Sequence, residues 1–300
     1  MSEMNNLRET LKKKNLSFNK ITLKSNVRIV DTDKGKFVFK EKKNNNIDNV
    51  YKYLKSRAFD YFPNKYEDDV YDIYDYLEDT MAPREQKISD LIYLLGLLHS
   101  KTTFYKETCK DDYKYIYESV KDSIKKSYIY FDELLININK EVYMSPSSYL
   151  IARNISMVYR CLDYCKKNIE SWYNMASVKN KVRYVNIHNN LSLDHFIKSD
   201  KPYFISWDRS KIDFPIYDLI NLYNNHYLDF NFEEIFNIYE SKYPLLPEER
   251  MLMFTLLLLP KPIPMSSSLF KQCIKVREYM DYLYKTMDLA TKYGKEKEPY

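Results

Sequence analysis

Apolar and polar residues alternate near the start of the chain, which is the pattern of half-buried β-strands. Between Phe18 and Lys42 the apolar side chains fall at every second position or in short runs, and a polar turn containing Gly35 separates two of these runs. A period of two places the apolar side chains on one face of a sheet, and a glycine turn suits the connection between antiparallel strands. We therefore predict strands joined by a turn at Gly35.

The spacing becomes helical between Asn46 and Phe59, where apolar residues recur at intervals of three and four. A second extended segment follows from Val70 to Leu77. After Pro83 the chain reads as almost wholly helical, and Ser89 is placed to cap the start of a helix with a leucine stripe. The predicted order is strands, a helix, more strands and then a helical region.

Two or three long amphipathic helices are predicted between about Lys106 and Met175, with an interruption at Met144–Ser148. Ser145 before Pro146 predicts a helix N-cap followed by a first-turn proline, so the segment has the form of an inserted helical hairpin. The pattern then changes to short strands at 182–187, 196–197 and 203–207, and helical blocks complete the chain.

Composition excludes several classes of function. The chain has only three glycines, too few for a glycine-rich phosphate loop of the Walker A or Rossmann kind. The net charge of +5 comes from 47 basic and 42 acidic residues that alternate along most predicted helices, so dedicated nucleic-acid binding is not expected. The four cysteines lack metal-site spacing and fit a reducing compartment.

The polar, lysine-rich start from Met1 to Asn15 lacks the apolar core of a secretory signal. The longest apolar run, Met251–Leu259, stops at Pro260, well short of the roughly 20 residues needed to span a bilayer. We therefore expect a cytoplasmic protein without a membrane span.

Two segments carry the candidate chemistry. The first is YVNIHNNLSLDHFI from Tyr184 to Ile197, and the second is FISWD from Phe204 to Asp208, followed by Asp218-Leu219. The first resembles the catalytic loop of the protein-kinase-like superfamily, aminoglycoside/choline phosphotransferase type, in which His-x-Asp is followed by four residues and Asn. The second resembles the Ile-Asp-Trp-Asp/Glu motif and the downstream Asp-Leu of the same family.

Further segments extend the resemblance over roughly Val27 to Pro264, apart from the helical hairpin. FVFK, ending at Lys40, resembles the strand whose lysine pairs with nucleotide phosphates, and LLGLLHSKT from Leu94 resembles the helix with Leu-His-Ser. The segment from Tyr239 to the leucine-rich run ending at Pro260 is similar to the CotS-type spore coat kinase-like proteins, which implies that a spore-associated location is an option.

The resemblance implies a bilobal α+β fold. It consists of a small antiparallel β N-lobe at residues 1–80, facing the nucleotide, and a large helical C-lobe at residues 81–300 that carries the inserted helical hairpin and a catalytic-like loop at 184–208. It also implies ATP and Mg²⁺ as cofactors, with Lys40 toward the phosphates and Asp208 and His195 at the metal positions.

The departures from the family pattern concern catalysis. Asn190 stands where the family has its loop aspartate, and an amide cannot accept the proton of a substrate hydroxyl. His195 stands at the asparagine position, and imidazole is a poor ligand for Mg²⁺, which prefers oxygen. The helix expected to carry a glutamate for Lys40 offers only Asp48, so Lys40 is predicted to lack its usual partner.

The remaining candidates each have more than one interpretation. Asp194 is a possible replacement carboxylate in the loop, or it caps a turn or stays solvated. His188 is either a catalytic-loop group or a packed scaffold residue, and Lys40 is either a phosphate ligand or a solvated charge. Asp208 follows an apolar strand that ends in tryptophan, and we interpret it as a cleft carboxylate rather than a turn cap.

Three functional hypotheses follow. The first is a degenerate phosphotransferase, or pseudokinase, that binds nucleotide or presents a surface to a protein partner. The second is an atypical active ATP-dependent kinase for a small molecule or a protein, using Asp208 and Asp194. The third is a structural spore coat or assembly protein. We predict that Asn190, His195 and Asp208 converge on one cleft wall. We also predict that Lys40 lies on the third strand of a five-stranded antiparallel sheet, or a reduced version of it, with its side chain toward the interlobe cleft.

Overall fold

The structure is a computed structural model that describes residues 2–24, 27–42, 47–266 and 268–293. The predicted helix start at Asn46 and the last seven residues of the predicted C-lobe lie outside the described residues. The chain divides into two compact units. The first comprises Met1–Thr102 and His188–Lys211, and the second comprises Thr103–Ile187 and Ile212–Tyr300. The division predicted at residue 80 stays a prediction.

The described helices and strands follow one another along the chain with these bounds: α1 Ser2–Lys13, β1 Phe18–Lys24, β2 Val27–Thr32, β3 Gly35–Glu41, α2 Ile47–Ser56, β4 Lys65–Tyr66, β5 Tyr71–Asp75, α3 Arg84–Thr102, β6 Phe104–Glu107, α4 Lys110–Asn139, α5 Pro146–Ala176, β7 Lys181–Ile187, β8 Phe196–Lys198, β9 Pro202–Phe204, β10 Lys211–Asp213, α6 Ile216–His226, α7 Phe232–Glu240, α8 Pro247–Leu258 and α9 Leu269–Tyr293.

The first unit contains a five-stranded antiparallel sheet with the order β1-β2-β3-β5-β4. The predicted turn is present: Gly35 has φ +119°, a left-handed conformation that side chains other than glycine rarely adopt. The helix α1 was not predicted, although Leu7 and Leu11, four residues apart, are both buried against the sheet. Together they pack into one cluster with Val30, Phe39, Tyr71 and Ile73.

Because side chains alternate across a strand, Lys40 lies on the opposite face of the sheet from Phe39, which packs toward α1. The third strand thus presents an apolar face to α1 and carries its lysine on the other side. The position predicted for Lys40, on the third strand of a five-stranded sheet, is confirmed, and the orientation of its side chain toward an interlobe cleft stays a prediction.

The prediction that Ser89 caps a helix start is wrong. The helix α3 begins at Arg84, directly after Pro83, so Ser89 lies inside it. Its hydroxyl donates to the carbonyl of Glu85 at 2.8 Å, which is the usual bond of a serine within a helix.

The predicted helical hairpin is present in the second unit as α4 and α5. Ser145 caps α5: its hydroxyl accepts a hydrogen bond from the backbone N–H of Ser148 at 3.1 Å, and Pro146 occupies the first turn. The buried face of α5 includes the free thiols Cys161 and Cys165. The short strand β6 was not predicted.

The second unit also has a three-stranded sheet with the order β10-β7-β6. On β7, Arg183 is buried and forms a two-point ion pair with Glu249, whose Oε1 accepts from Nε at 2.9 Å and whose Oε2 accepts from Nη2. Glu249 also accepts the backbone N–H of Leu246, which ties the start of α8 to β7. Among the described residues, none of the helices is both long and apolar enough to cross a membrane.

Candidate functional site

Lys40 and Asp208, 168 positions apart in sequence, form an ion pair within the first unit. The Nζ atom of Lys40 donates to Oδ2 of Asp208, and the two side chains are 19% and 20% exposed. Water therefore reaches both groups only in part. The prediction was that Lys40 lacks its usual partner on α2, and Lys40 is paired with Asp208 rather than with an acidic residue of that helix.

The acidic residue of α2 pairs with a different lysine. Asp48 accepts a hydrogen bond from Lys65 at 2.6 Å, and the same ammonium lies 2.8 Å from the buried carboxylate of Asp72. Asp72 sits directly opposite Lys40 in the β3–β5 register. Burial lowers the pKa of Lys65, but the bonds to Asp48 and Asp72 outweigh it and leave the pKa raised. Lys65 and Asp72 were not singled out from the sequence because no spacing rule links them.

Asp208 lies in a one-turn 3₁₀ helix, Trp207–Arg209, that starts after Ser206 in a left-handed conformation with φ 64°. The strand predicted to reach Trp207 ends at Phe204, because the chain turns there. Trp207 is buried, and its indole N–H donates to the carbonyl of Phe204 at 2.8 Å. The buried tryptophan anchors the turn, so the neighbouring carboxylate is held toward Lys40.

His188 is fully buried beside this turn. Its ring centroid is 4.7 Å from that of Trp207 and 5.3 Å from that of Phe204, and its Nε2 donates to the carbonyl of Ile205 at 2.9 Å. These contacts fix the loop against the Asp208 turn. The geometry is that of a scaffold residue, and a catalytic role for His188 stays a prediction.

Asn190 and His195 are joined to each other and to the turn. Nδ1 of His195 donates to the backbone carbonyl of Asn190 at 2.7 Å. The side-chain amide of Asn190 donates to the carbonyl of Ser206 at 3.5 Å, two residues before Asp208. The predicted loop residues thus share one hydrogen-bonded network with the Asp208 turn, while no direct side-chain bond between Asn190 and Asp208 is described.

Asp194 is placed differently. It lies in the 3₁₀ turn Leu193–His195, and its side chain is exposed. Within the described ranges it makes no hydrogen bond or ion pair. Its role as a replacement carboxylate stays a prediction.

The charge of Asp208 contributes to the raised pKa values of two tyrosines. Burial raises the pKa of Tyr51, and the charges of Tyr74 and Asp208 raise it further. Burial also raises the pKa of Tyr74, with the carboxylates of Asp72 and Asp208 adding to the effect. Both phenols therefore stay neutral at physiological pH, and they border the sheet face that carries Lys40.

Asp208 is the residue of this site whose chemistry could suit a Mg²⁺ ion. Over the described parts of the chain, no group of three or more His, Cys, Asp or Glu side chains is arranged to hold a metal ion. Mg²⁺ is commonly held by one or two carboxylates together with substrate phosphates. Asp208 is a carboxylate that could hold the ion in this way, and Lys40 beside it is a cation that could pair with a phosphate.

The fold agrees with that of known phosphotransferases. An aminoglycoside phosphotransferase from Alicyclobacillus acidocaldarius matches with a TM-score of 0.70 at 10% identity, over 95% of this chain and 94% of that chain. A choline kinase from Streptococcus pneumoniae matches with a TM-score of 0.50 at 15% identity, over 97% and 98%. The AMP-bound complex of spectinomycin phosphotransferase, APH(9)-Ia, matches with a TM-score of 0.53 at 12% identity, over 94% and 98%.

No protein-family model and no curated protein matches the chain. At these low identities the structural matches show the fold alone, which is the protein-kinase-like fold of aminoglycoside phosphotransferases and choline kinases. The predicted fold class, with an antiparallel sheet in the N-terminal region and a helical C-terminal region, is confirmed.

Proposed function

We propose that the chain is a degenerate phosphotransferase, a pseudokinase that binds ATP with Mg²⁺ and transfers phosphate very slowly or not at all. The observation that carries the proposal is the partly buried Lys40–Asp208 pair next to a loop in which Asn190 replaces the expected aspartate. The first feature suits nucleotide binding. The second removes the group that would accept a proton.

Nucleotide binding rests on Lys40 and Asp208. An ammonium is a natural partner for phosphate oxygens, and a carboxylate is a hard oxygen ligand for Mg²⁺. When bound, the metal would neutralise charge on the phosphates. The ammonium of Lys40 has three N–H donors and Asp208 has two carboxylate oxygens, so a phosphate and a metal ion could bind them beside or in place of their present contact.

Slow transfer rests on the loop. The amide of Asn190 can orient a hydroxyl but cannot take up its proton. His195 directs its Nδ1–H to the carbonyl of Asn190, which leaves only Nε2 to face a ligand, and nitrogen is a poor ligand for Mg²⁺. We therefore propose that a protein partner binds the nucleotide-bound state. The resemblance to spore coat kinase-like proteins favours a cytoplasmic and spore-associated location.

The test is a calorimetric titration of ATP with and without Mg²⁺ on the wild-type chain, Lys40→Met and Asp208→Asn. Lys40→Met should weaken binding under both conditions. Asp208→Asn should strengthen binding without Mg²⁺, because a carboxylate that repels phosphate and occupies Lys40 is gone, and weaken it with Mg²⁺. Lys36→Met is the matched control, since Lys36 lies on the same strand and side of the sheet.

Failure of wild-type protein to bind ATP would contradict the nucleotide proposal and favour the structural coat or assembly alternative. Equal effects of Lys40→Met and Lys36→Met would also remove Lys40 from the site.

Catalysis is tested separately by following phosphoryl transfer from ATP. We expect no measurable transfer, and little gain in Asn190→Asp, because catalytic groups of this class act as a unit. A rate of about one per second or more, typical of kinases, would contradict the pseudokinase proposal. Loss of that activity in Asp208→Ala or Asp194→Asn would then identify the carboxylate used by an atypical kinase.

A further inference from the structure

A cavity of about 260 Å³ lies within the second unit, between β7, the end of α5 and the start of α8. It contains none of the residues assigned above to nucleotide binding or to the loop. Its volume falls just below the range of roughly 300–1,000 Å³ found for pockets that take drug-sized ligands. The cavity therefore suits a small molecule.

Aromatic rings form much of its wall. Tyr113 and Trp172 are both buried and meet edge to face with centroids 6.0 Å apart. Phe214 lines another part of the cavity and stacks on Tyr184 at 5.1 Å. Tyr105 also lines the cavity and is 61% exposed, so it stands where the cavity meets solvent. Such walls favour a flat apolar ligand over a strongly hydrated one.

One polar side-chain atom in the cavity lining has no hydrogen-bond partner among the described residues. Glu248 is 12% exposed, and its Oε1 pairs with Lys179. Its Oε2 is buried and has no hydrogen-bond partner among the described residues. A buried carboxylate oxygen only accepts hydrogen bonds and is costly to leave without a donor. The charge of Glu248 also contributes to the raised pKa of Tyr113, after the larger effect of burial, which agrees with its position beside that ring.

The charges of the lining argue against a ligand that carries a strong charge of its own. The neighbouring Glu249 is already held at two points by Arg183, and Glu248 is paired through its other oxygen with Lys179. What remains for a ligand is one buried acceptor, Oε2 of Glu248, between aromatic walls, and the other charged residue of the lining, Lys181, is exposed to solvent. We propose that this cavity binds a small neutral aromatic molecule whose N–H or O–H donates a hydrogen bond to Oε2 of Glu248.

Indole is a suitable probe because it combines a flat ring with one N–H donor, and indene is its matched control without the donor. The chain has two tryptophans, so incorporation of fluorotryptophan gives one fluorine NMR signal each for Trp172 and Trp207. Indole should shift the Trp172 signal and leave that of Trp207 in place, with the signals assigned by Trp172→Phe. Indene should bind more weakly by roughly tenfold or more, the range for losing a hydrogen bond to a charged group.

Two variants extend the test. Glu248→Gln should weaken indole binding while indene binding changes little. Glu233→Gln is its control, because Glu233 occupies the same second position at the start of α7, is exposed and lies outside the cavity. Ala176→Met extends a longer side chain from the cavity wall and should abolish the binding of both probes without unfolding the chain, as checked by its melting temperature.

Several results would overturn the proposal. These are the absence of any Trp172 shift up to the solubility limit of indole, equal affinities for indole and indene, or equal affinities of Glu248→Gln and wild-type protein for indole. None of these measurements involves ATP, Lys40 or Asp208. Their failure is therefore distinguishable from failure of the proposed function.

Discussion

The Lys40–Asp208 pair allows a quantitative test of how the first unit is held together. Removing one partner of a fully buried ion pair costs about 3–5 kcal/mol, whereas exposed pairs contribute about 0.2–1 kcal/mol. Both side chains here are about one-fifth exposed, at 19% and 20%. We therefore expect Lys40→Met and Asp208→Asn each to lower the free energy of unfolding by about 2 kcal/mol, between the buried and exposed limits.

The two single variants and the double variant form a double-mutant cycle, measured by urea unfolding. The double variant should lose less than the sum of the single losses, which gives a coupling energy of about 1–2 kcal/mol, within the range for contacting residues. Because a partly buried pair is weakly screened, most of this coupling should persist in 1 M salt, where the Debye length is about 3 Å.

The control cycle uses Lys36 and Glu78, in which Nζ and Oε1 are 3.4 Å apart and the side chains are 47% and 78% exposed. Its coupling should stay below about 0.5 kcal/mol and disappear in salt. If the Lys40–Asp208 cycle gave a coupling no larger than this control, the pair would not be an organising contact of the first unit, and the reasoning from its burial would be wrong.

Three further predictions concern the second unit. Arg183→Ala should lower the free energy of unfolding by about 3–5 kcal/mol in urea, because it leaves a buried carboxylate without its cation, whereas the same change at the exposed Lys181 should have little effect. Burial raises the pKa of Cys161 to about 12, so brief alkylation at pH 8 followed by mass spectrometry should modify the exposed Cys109 and leave Cys161 intact until urea unfolds the chain. Burial raises the pKa of Tyr223 from 10.0 to about 12, so the native state holds the hydroxyl proton more tightly than the unfolded state does. The resulting contribution to stability is complete below pH 10 and is lost as the pH rises toward 12. In Tyr223→Phe this loss is absent, so the decline of stability above pH 10 should be shallower. An unchanged stability in Arg183→Ala, early alkylation of Cys161 or an unchanged alkaline slope would contradict the respective prediction.

Elements with strong local signals could be predicted from the sequence. The turn at Gly35 and the cap at Ser145 each rest on residues adjacent in the chain, and both are present. The helix α1 was missed because its polar composition hides the two buried leucines, although their spacing of four was available as a signal. The strand β6 has four residues and exists by pairing with β7, so no local pattern marks it.

In the candidate site, too, features set by nearby residues could be predicted and features set by tertiary contacts could not. The placement of Lys40 on the third strand followed from strand order, and the hydrogen bond from Asn190 to the carbonyl of Ser206 agrees with the short connections from which convergence was predicted. The partner of Lys40 could not be predicted, because 168 positions separate it from Asp208 and a choice among carboxylates depends on tertiary structure. The pairing of Asp48 with Lys65 rather than Lys40 is a choice of the same kind.

The surroundings of Asn190 indicate that the loop suits an amide. Its side-chain N–H faces the carbonyl of Ser206 at 3.5 Å, and that carbonyl can only accept. An aspartate in this place would set a carboxylate against a carbonyl oxygen, and neither group has a hydrogen to donate to the other. A carboxylate at position 190 would therefore lose a hydrogen bond and meet repulsion where the amide is satisfied. On the proposed function, we therefore expect Asn190→Asp alone not to supply a proton acceptor unless the Asp208 turn changes as well.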